Sequence, residues 1–107
     1  MAAMELNKEQ FEKLMNDGKV VLVDFWAPWC SYCRRIAPAY DKIAQQFGDE
    51  LIISKINIDN EPILAHKEQI EVIPTLVLYE KGEALGSIVA PESRSRIEEF
   101  LADYLDN

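Results

Sequence analysis

Both cysteines of this 107-residue chain, Cys30 and Cys33, lie in the stretch VDFWAPWCSYCRR, with two residues between them. Thiols at this spacing can form half of a metal site, sit inert in a core, or open and close as a disulfide. A structural zinc site takes four ligands, and the soft ligands here are only Cys30, Cys33 and the lone His66. A cluster shared between two chains would supply four thiolates, but nothing in the sequence asks for one, and His66 reads as a solvated residue on a polar helix. Two inert thiols would leave their placement unexplained, because the pair follows an apolar run and opens a helical pattern.

A redox-active dithiol accounts for that placement. At a strand-to-helix junction the Cys30 sulfur meets unpaired backbone N–H groups at the positive end of a helix dipole, which favours thiolate. Cys33, three residues on, is a helical neighbour at about 5 to 6 Å, a separation that suits a disulfide. The expected division of labour has an exposed Cys30 sulfur attack and Cys33, a turn inward, resolve the mixed disulfide. Arg34 and Arg35 add positive charge nearby. This chemistry calls for no metal and no cofactor.

The surrounding pattern supplies the elements that must hold such a pair. A short strand is expected near Met4 to Leu6, then a helix capped by Asn7 with Gln10 at its third position and Phe11, Leu14 and Met15 on one face. The run VVLVDFWA is apolar and largely β-branched apart from Asp24, as for a central strand covered on both faces. From Cys33 onward, Ile36, Tyr40, Ile43, Ala44 and Phe47 recur at helical spacing up to Gly48, with Pro38 removing one hydrogen bond inside the helix. LIISKINI reads as a strand, NEPILAHKEQ as a short helix with Pro62 in its first turn, and TLVLYE with EALGSIVA as a hairpin about Lys81 and Gly82. A last helix, capped by Ser93, is expected to bury Ile97, Phe100, Leu101 and Tyr104. Strands that alternate with helices and end in a hairpin and a helix predict an α/β fold, a mixed sheet with helices on both faces.

Composition bounds the class of partner. With 49% hydrophobic residues in 107, the chain suffices for one domain, taken as residues 1–107, and is too short for two. Its 11 basic and 19 acidic residues leave a net charge of -8, which opposes binding to nucleic acid or an anionic membrane. No apolar run approaches the ~20 residues of a membrane span, and MAAMELNKEQ lacks the basic-then-apolar pattern of an export signal. A cytoplasmic location is therefore expected, with proteins or small molecules as partners and the chain acting as a monomer.

VDFWAPWCSYCRRIAP, followed by KINID, VIPTLVLYEKGE and the closing amphipathic helix, resembles the thioredoxin family through essentially the whole chain, in the right order and spacing. The resemblance implies a thioredoxin fold and a protein-disulfide reductase acting by dithiol–disulfide exchange, with Cys30 as nucleophile and Cys33 as resolving thiol. Its implied partners are protein disulfides and an NADPH-dependent thioredoxin reductase. Asp24 takes the place of the buried carboxylate that accepts the Cys33 proton, against the alternative that it reaches solvent at a strand end. Lys55 matches the basic residue near that carboxylate, against the alternative of an exposed strand lysine. Pro74 matches a cis proline beside the cysteines, expected to present backbone polar groups to a bound peptide. Trp29, Val72, Ile73 and Ala90 would form the apolar rim, against ordinary packing, and Trp26 a supporting aromatic.

The chain also departs from the family. Ser31 and Tyr32 stand where Gly-Pro is usual, and their hydroxyls are candidates to donate to the Cys30 thiolate, which would favour the reduced form and make a stronger oxidant. Val72 and Ala90 replace residues that are commonly glycine, and Glu71 stands where a basic residue is frequent. Two alternatives therefore accompany the reductase: a disulfide oxidant or isomerase on the same fold, and a non-catalytic binding module.

Overall fold

A computed structural model describes residues 3–105 of the chain. The elements run β1 (Met4–Glu5), α1 (Lys8–Asn16), β2 (Val20–Trp26), α2 (Ser31–Phe47), β3 (Ile52–Asn57), α3 (Pro62–Lys67), β4 (Thr75–Glu80), β5 (Glu83–Val89) and α4 (Arg94–Ala102). The strands form one mixed sheet in the order β1-β3-β2-β4-β5. β1 and β2 run parallel to β3, whereas β4 is antiparallel to both β2 and β5.

Strand alternation divides the core into two layers. In β2, Leu22 faces a cluster built from Ile36, Tyr40 and Ile43 of α2 and Ile97, Phe100 and Leu101 of α4. Val21, Val23 and Phe25 face the other side, with Phe11 of α1 and Leu64 of α3. Because successive side chains point to opposite faces, Asp24 shares the face of Leu22 and lies under α2. Residue 24 is paired in register with Lys55 of β3, so the same alternation puts both charged side chains beneath the helix that carries Cys33.

The helix ends follow the capping chemistry expected of them. Asn7 and Gln10 exchange hydrogen bonds at 2.8 Å in each direction, completing a capping box. Ser93 Oγ accepts from the Arg96 N–H at 3.2 Å. The β4–β5 turn has positive φ at both Lys81 (53°) and Gly82 (80°), the requirement of a type I′ hairpin, whose twist matches that of its strands. α2 continues through Pro38, whose ring leaves the Arg34 carbonyl without its helical donor.

α2 begins at Ser31, and the Cys30 sulfur caps its first turn at the strand-to-helix junction where the sequence places it. One sequence expectation is corrected here. Tyr104 is not buried: it lies beyond α4 and keeps 42% of its surface, although its ring meets Phe100 edge-on at 5.3 Å.

Candidate active site

β2 ends at Trp26, and the short loop through Pro28 and Trp29 delivers Cys30 to the N-cap of α2. There the Cys33 N–H donates to Cys30 Sγ at 3.1 Å. This is one of the orphan donors of a helix start, and the Cys30 sulfur is its partner. Cys30 and Cys33 are bonded to each other, with their Cα atoms 5.2 Å apart, inside the span usual for a disulfide. The expected asymmetry between them is small. Cys30 keeps 8% of its surface and Cys33 4%, so Cys30 is recessed rather than exposed, packed with Trp26, Tyr32 and Ile73. The Cys30 sulfur lies 4.0 Å from the Ile73 carbonyl oxygen, and the Ile73–Pro74 peptide is cis, as expected.

Beneath the pair, Asp24, Cys33, Lys55, Trp26 and Tyr40 share the lining of a cavity of about 70 Å³, a volume that admits water. Asp24 is 4% exposed, and its Oδ1 has no hydrogen-bond partner among the described residues, so the alternative that it reaches solvent at a strand end fails. Burial pushes its carboxyl up to about 7; the Lys55 charge opposes this rise and the Glu5 charge adds to it. Lys55 is half-buried and makes no direct ion pair with Asp24. Its Nζ instead sits 4.9 Å from the centre of the Trp26 ring, a cation–π contact that leaves Lys55 to act on Asp24 through the field alone.

The residues expected to form the rim differ in exposure. Trp29 is 66% and Val72 55% exposed, whereas Ile73 and Ala90 are half-buried and Pro74 is buried. The Trp29 indole is fixed by donation from Nε1 to Asp59 Oδ1 at 3.1 Å. Pro74 does not present a free carbonyl, since that oxygen accepts the Ala90 N–H at 2.8 Å, and Ile73 is left as the backbone nearest the sulfur. Tyr32 brings a further correction. Its hydroxyl donates to the carbonyls of Ala90 and Pro91, each at 3.1 Å, and not to the Cys30 sulfur. Arg34 donates to the Pro28 carbonyl at 2.6 Å, tying the loop to the helix, and Arg35 lies over the Tyr32 ring.

Sequence reasoning missed three supporting residues. Asp59 holds Trp29 from 30 positions away. Glu5 accepts from Trp26 Nε1 at 3.2 Å and from the Asn57 N–H at 2.9 Å, and its charge reaches Asp24. Pro91 receives the Tyr32 hydroxyl. Only strand register could have brought Glu5 to the site, and β1 is two residues long.

A dithiol at the N-cap of a helix, over a buried carboxyl, on a mixed sheet and beside a cis proline, defines a thiol–disulfide oxidoreductase. Relatives narrow that class. The family model described as Thioredoxin matches residues 2–103. The chain is 41% identical over 92 residues to a thioredoxin of Buchnera aphidicola subsp. Baizongia pistaciae, covering 86% of this chain and 84% of that one. It is 35% identical over 104 residues to the thioredoxin of Alicyclobacillus acidocaldarius, covering 97% and 99%. A mutant thioredoxin from Halobacterium salinarum superposes with a TM-score of 0.87 at 25% identity, over 99% of this chain and 93% of that one. The chain belongs to the thioredoxin family. It is a protein-disulfide oxidoreductase that works by dithiol–disulfide exchange through Cys30 and Cys33.

Proposed function

We propose that Cys30 is the attacking thiolate, Cys33 the resolving thiol, and Asp24 the group that takes the Cys33 proton. The observation that carries this assignment is the 3.1 Å bond from the Cys33 N–H to Cys30 Sγ, which stabilises negative charge on the first sulfur only. Cys30 thiolate attacks one sulfur of a substrate disulfide; a Cys30–substrate disulfide forms and the other substrate sulfur leaves as thiolate. Cys33 then loses its proton toward Asp24 across the shared cavity and attacks Cys30 Sγ. The second substrate sulfur departs, and the Cys30–Cys33 disulfide closes. Two electrons have passed from the dithiol to the substrate.

Substrate docks, in this reading, on Trp29, Val72, Ile73 and Ala90, with its chain laid along the backbone at Ile73. A thioredoxin reductase drawing on NADPH reopens the Cys30–Cys33 disulfide, the protein works as a monomer, and its compartment is the cytoplasm. The reductant reading is favoured over an oxidant or isomerase by Tyr32, whose hydroxyl is committed to Ala90 and Pro91 and not to the Cys30 sulfur.

The Cys33→Ser variant tests the assignment. It should accumulate a mixed disulfide between Cys30 and protein substrates, visible as a reductant-sensitive shift on a non-reducing gel, while Cys30→Ser should give none. Absence of any adduct with Cys33→Ser, or an equal yield from both variants, would reverse or remove these roles.

A further inference from the structure

Tyr32 stands between the two cysteines, yet its hydroxyl is spent 58 and 59 residues further along, on the carbonyls of Ala90 and Pro91 at 3.1 Å each. Its half-buried ring packs against both the α2–α4 core and the small cluster that holds Cys30 and Cys33. The residue at the receiving end is in an unusual state. Ala90 has φ +45°, in the left-handed region that disfavours any side chain with a Cβ. Two backbone contacts keep it there: its N–H donates to the Pro74 carbonyl at 2.8 Å, and its carbonyl accepts from Tyr32. Ala90 is thus tied on one side to the loop facing Cys30 and on the other to the dipeptide between the cysteines.

We propose that Tyr32 is a positioning residue that clamps the strained Ala90–Pro91 segment to the active-site turn and so fixes the far wall of the groove for extended peptide disulfides. It rests on the docking groove proposed above and adds what sets its width. The physical logic is a balance at one residue. Ala90 gains by leaving φ +45°, and the Tyr32 hydroxyl opposes that departure; without it Ala90 relaxes, its N–H swings off Pro74, and the wall shifts relative to the Cys30 sulfur. A glycine at the same place has no Cβ to strain, so it would hold the wall without the clamp. Tyr32 and Ala90 are therefore expected to be energetically coupled. Small disulfides, which need the sulfur and not the wall, should scarcely register the change.

The test compares wild type, Tyr32→Phe, Ala90→Gly and the double variant on insulin, as a peptide disulfide, and on dithiobis-nitrobenzoate, as a small aromatic disulfide. Tyr32→Phe is expected to raise KM for insulin about five- to tenfold with kcat within about twofold, and to cost the small disulfide far less. In the Ala90→Gly background the same change should move the insulin KM by less than about twofold. Amide hydrogen exchange supplies a structural readout independent of turnover: the Ala90 N–H should exchange at least about tenfold faster in Tyr32→Phe. An unchanged insulin KM, equal losses on both disulfides, equal effects in both backgrounds, or unaltered Ala90 exchange would each overturn the clamp. If wild type itself reduced the small disulfide but not insulin, the docking groove would fall and take the clamp with it.

Discussion

Asp24 is the residue whose surroundings most change its chemistry. An ordinary aspartate is fully ionised at neutral pH, whereas burial holds this carboxyl at about 7, where it can both accept and release a proton during a cycle. The same shift has a signed effect on stability. The folded state binds this proton more tightly than the unfolded chain, so the stability this group contributes is fully present below the ordinary value of 3.8, falls as pH rises toward about 7, and levels off above it. Asp24→Asn removes the charge that burial opposes. It should be more stable than wild type at pH 8 by on the order of a few kcal/mol, with the difference closing below about pH 4, as read by urea unfolding of the oxidised forms. Parallel pH profiles for the two proteins would show that the carboxyl is not held up by burial. In single-turnover kinetics the same variant should slow resolution of the mixed disulfide more than the first attack. Equal slowing of both steps would remove Asp24 from proton transfer.

At the scale of elements, the junctions place the chemistry and the caps keep the junctions in place. The Asn7–Gln10 box is remote from the sulfurs and closes α1. Asn7→Ala should lower stability by about 1 kcal/mol, a fall of roughly 4 to 8 °C in Tm, while insulin reduction at room temperature stays unchanged; a loss of activity without a loss of stability would contradict this separation. Such features were legible because they are local. Asn7 with Gln10, Pro62 at a helix start, the Lys81–Gly82 turn and the apolar run of β2 each announce themselves within a few residues. The cysteine pair was legible for the same reason, and the roles around it came through resemblance to a family. What stayed hidden was pairing across the chain. The Tyr32 hydroxyl had two destinations open to it, the sulfur of nearby Cys30 or the carbonyls of Ala90 and Pro91, and only the folded β5–α4 connection decides between them. Asp59 and Glu5 were silent for that reason too, since nothing beside either in sequence marks the indole it holds. Tyr104 misled through periodicity: it continues the apolar stripe of α4, but the helix stops at Ala102.

At the scale of the whole molecule, a net charge of -8 surrounds a rim that is largely apolar. Long-range attraction should therefore select among partners before the rim does. Raising ionic strength should lower kcat/KM for a basic protein disulfide and raise it for an acidic one, because salt screens attraction in the first case and repulsion in the second. The same sign of salt effect with both would mean that the overall charge plays no part in encounter. The fold as a whole must also set the direction in which electrons flow. One measurement tests that most directly: the reduction potential of the Cys30–Cys33 couple, obtained by equilibration in defined thiol–disulfide buffers with Trp26 and Trp29 fluorescence as the readout. A reductase whose Tyr32 hydroxyl is turned away from the sulfur should lie below about -260 mV, beneath the glutathione poise measured by extraction. A value at or above about -180 mV, the range of a disulfide isomerase, would contradict the assignment of this protein as a reductant of protein disulfides.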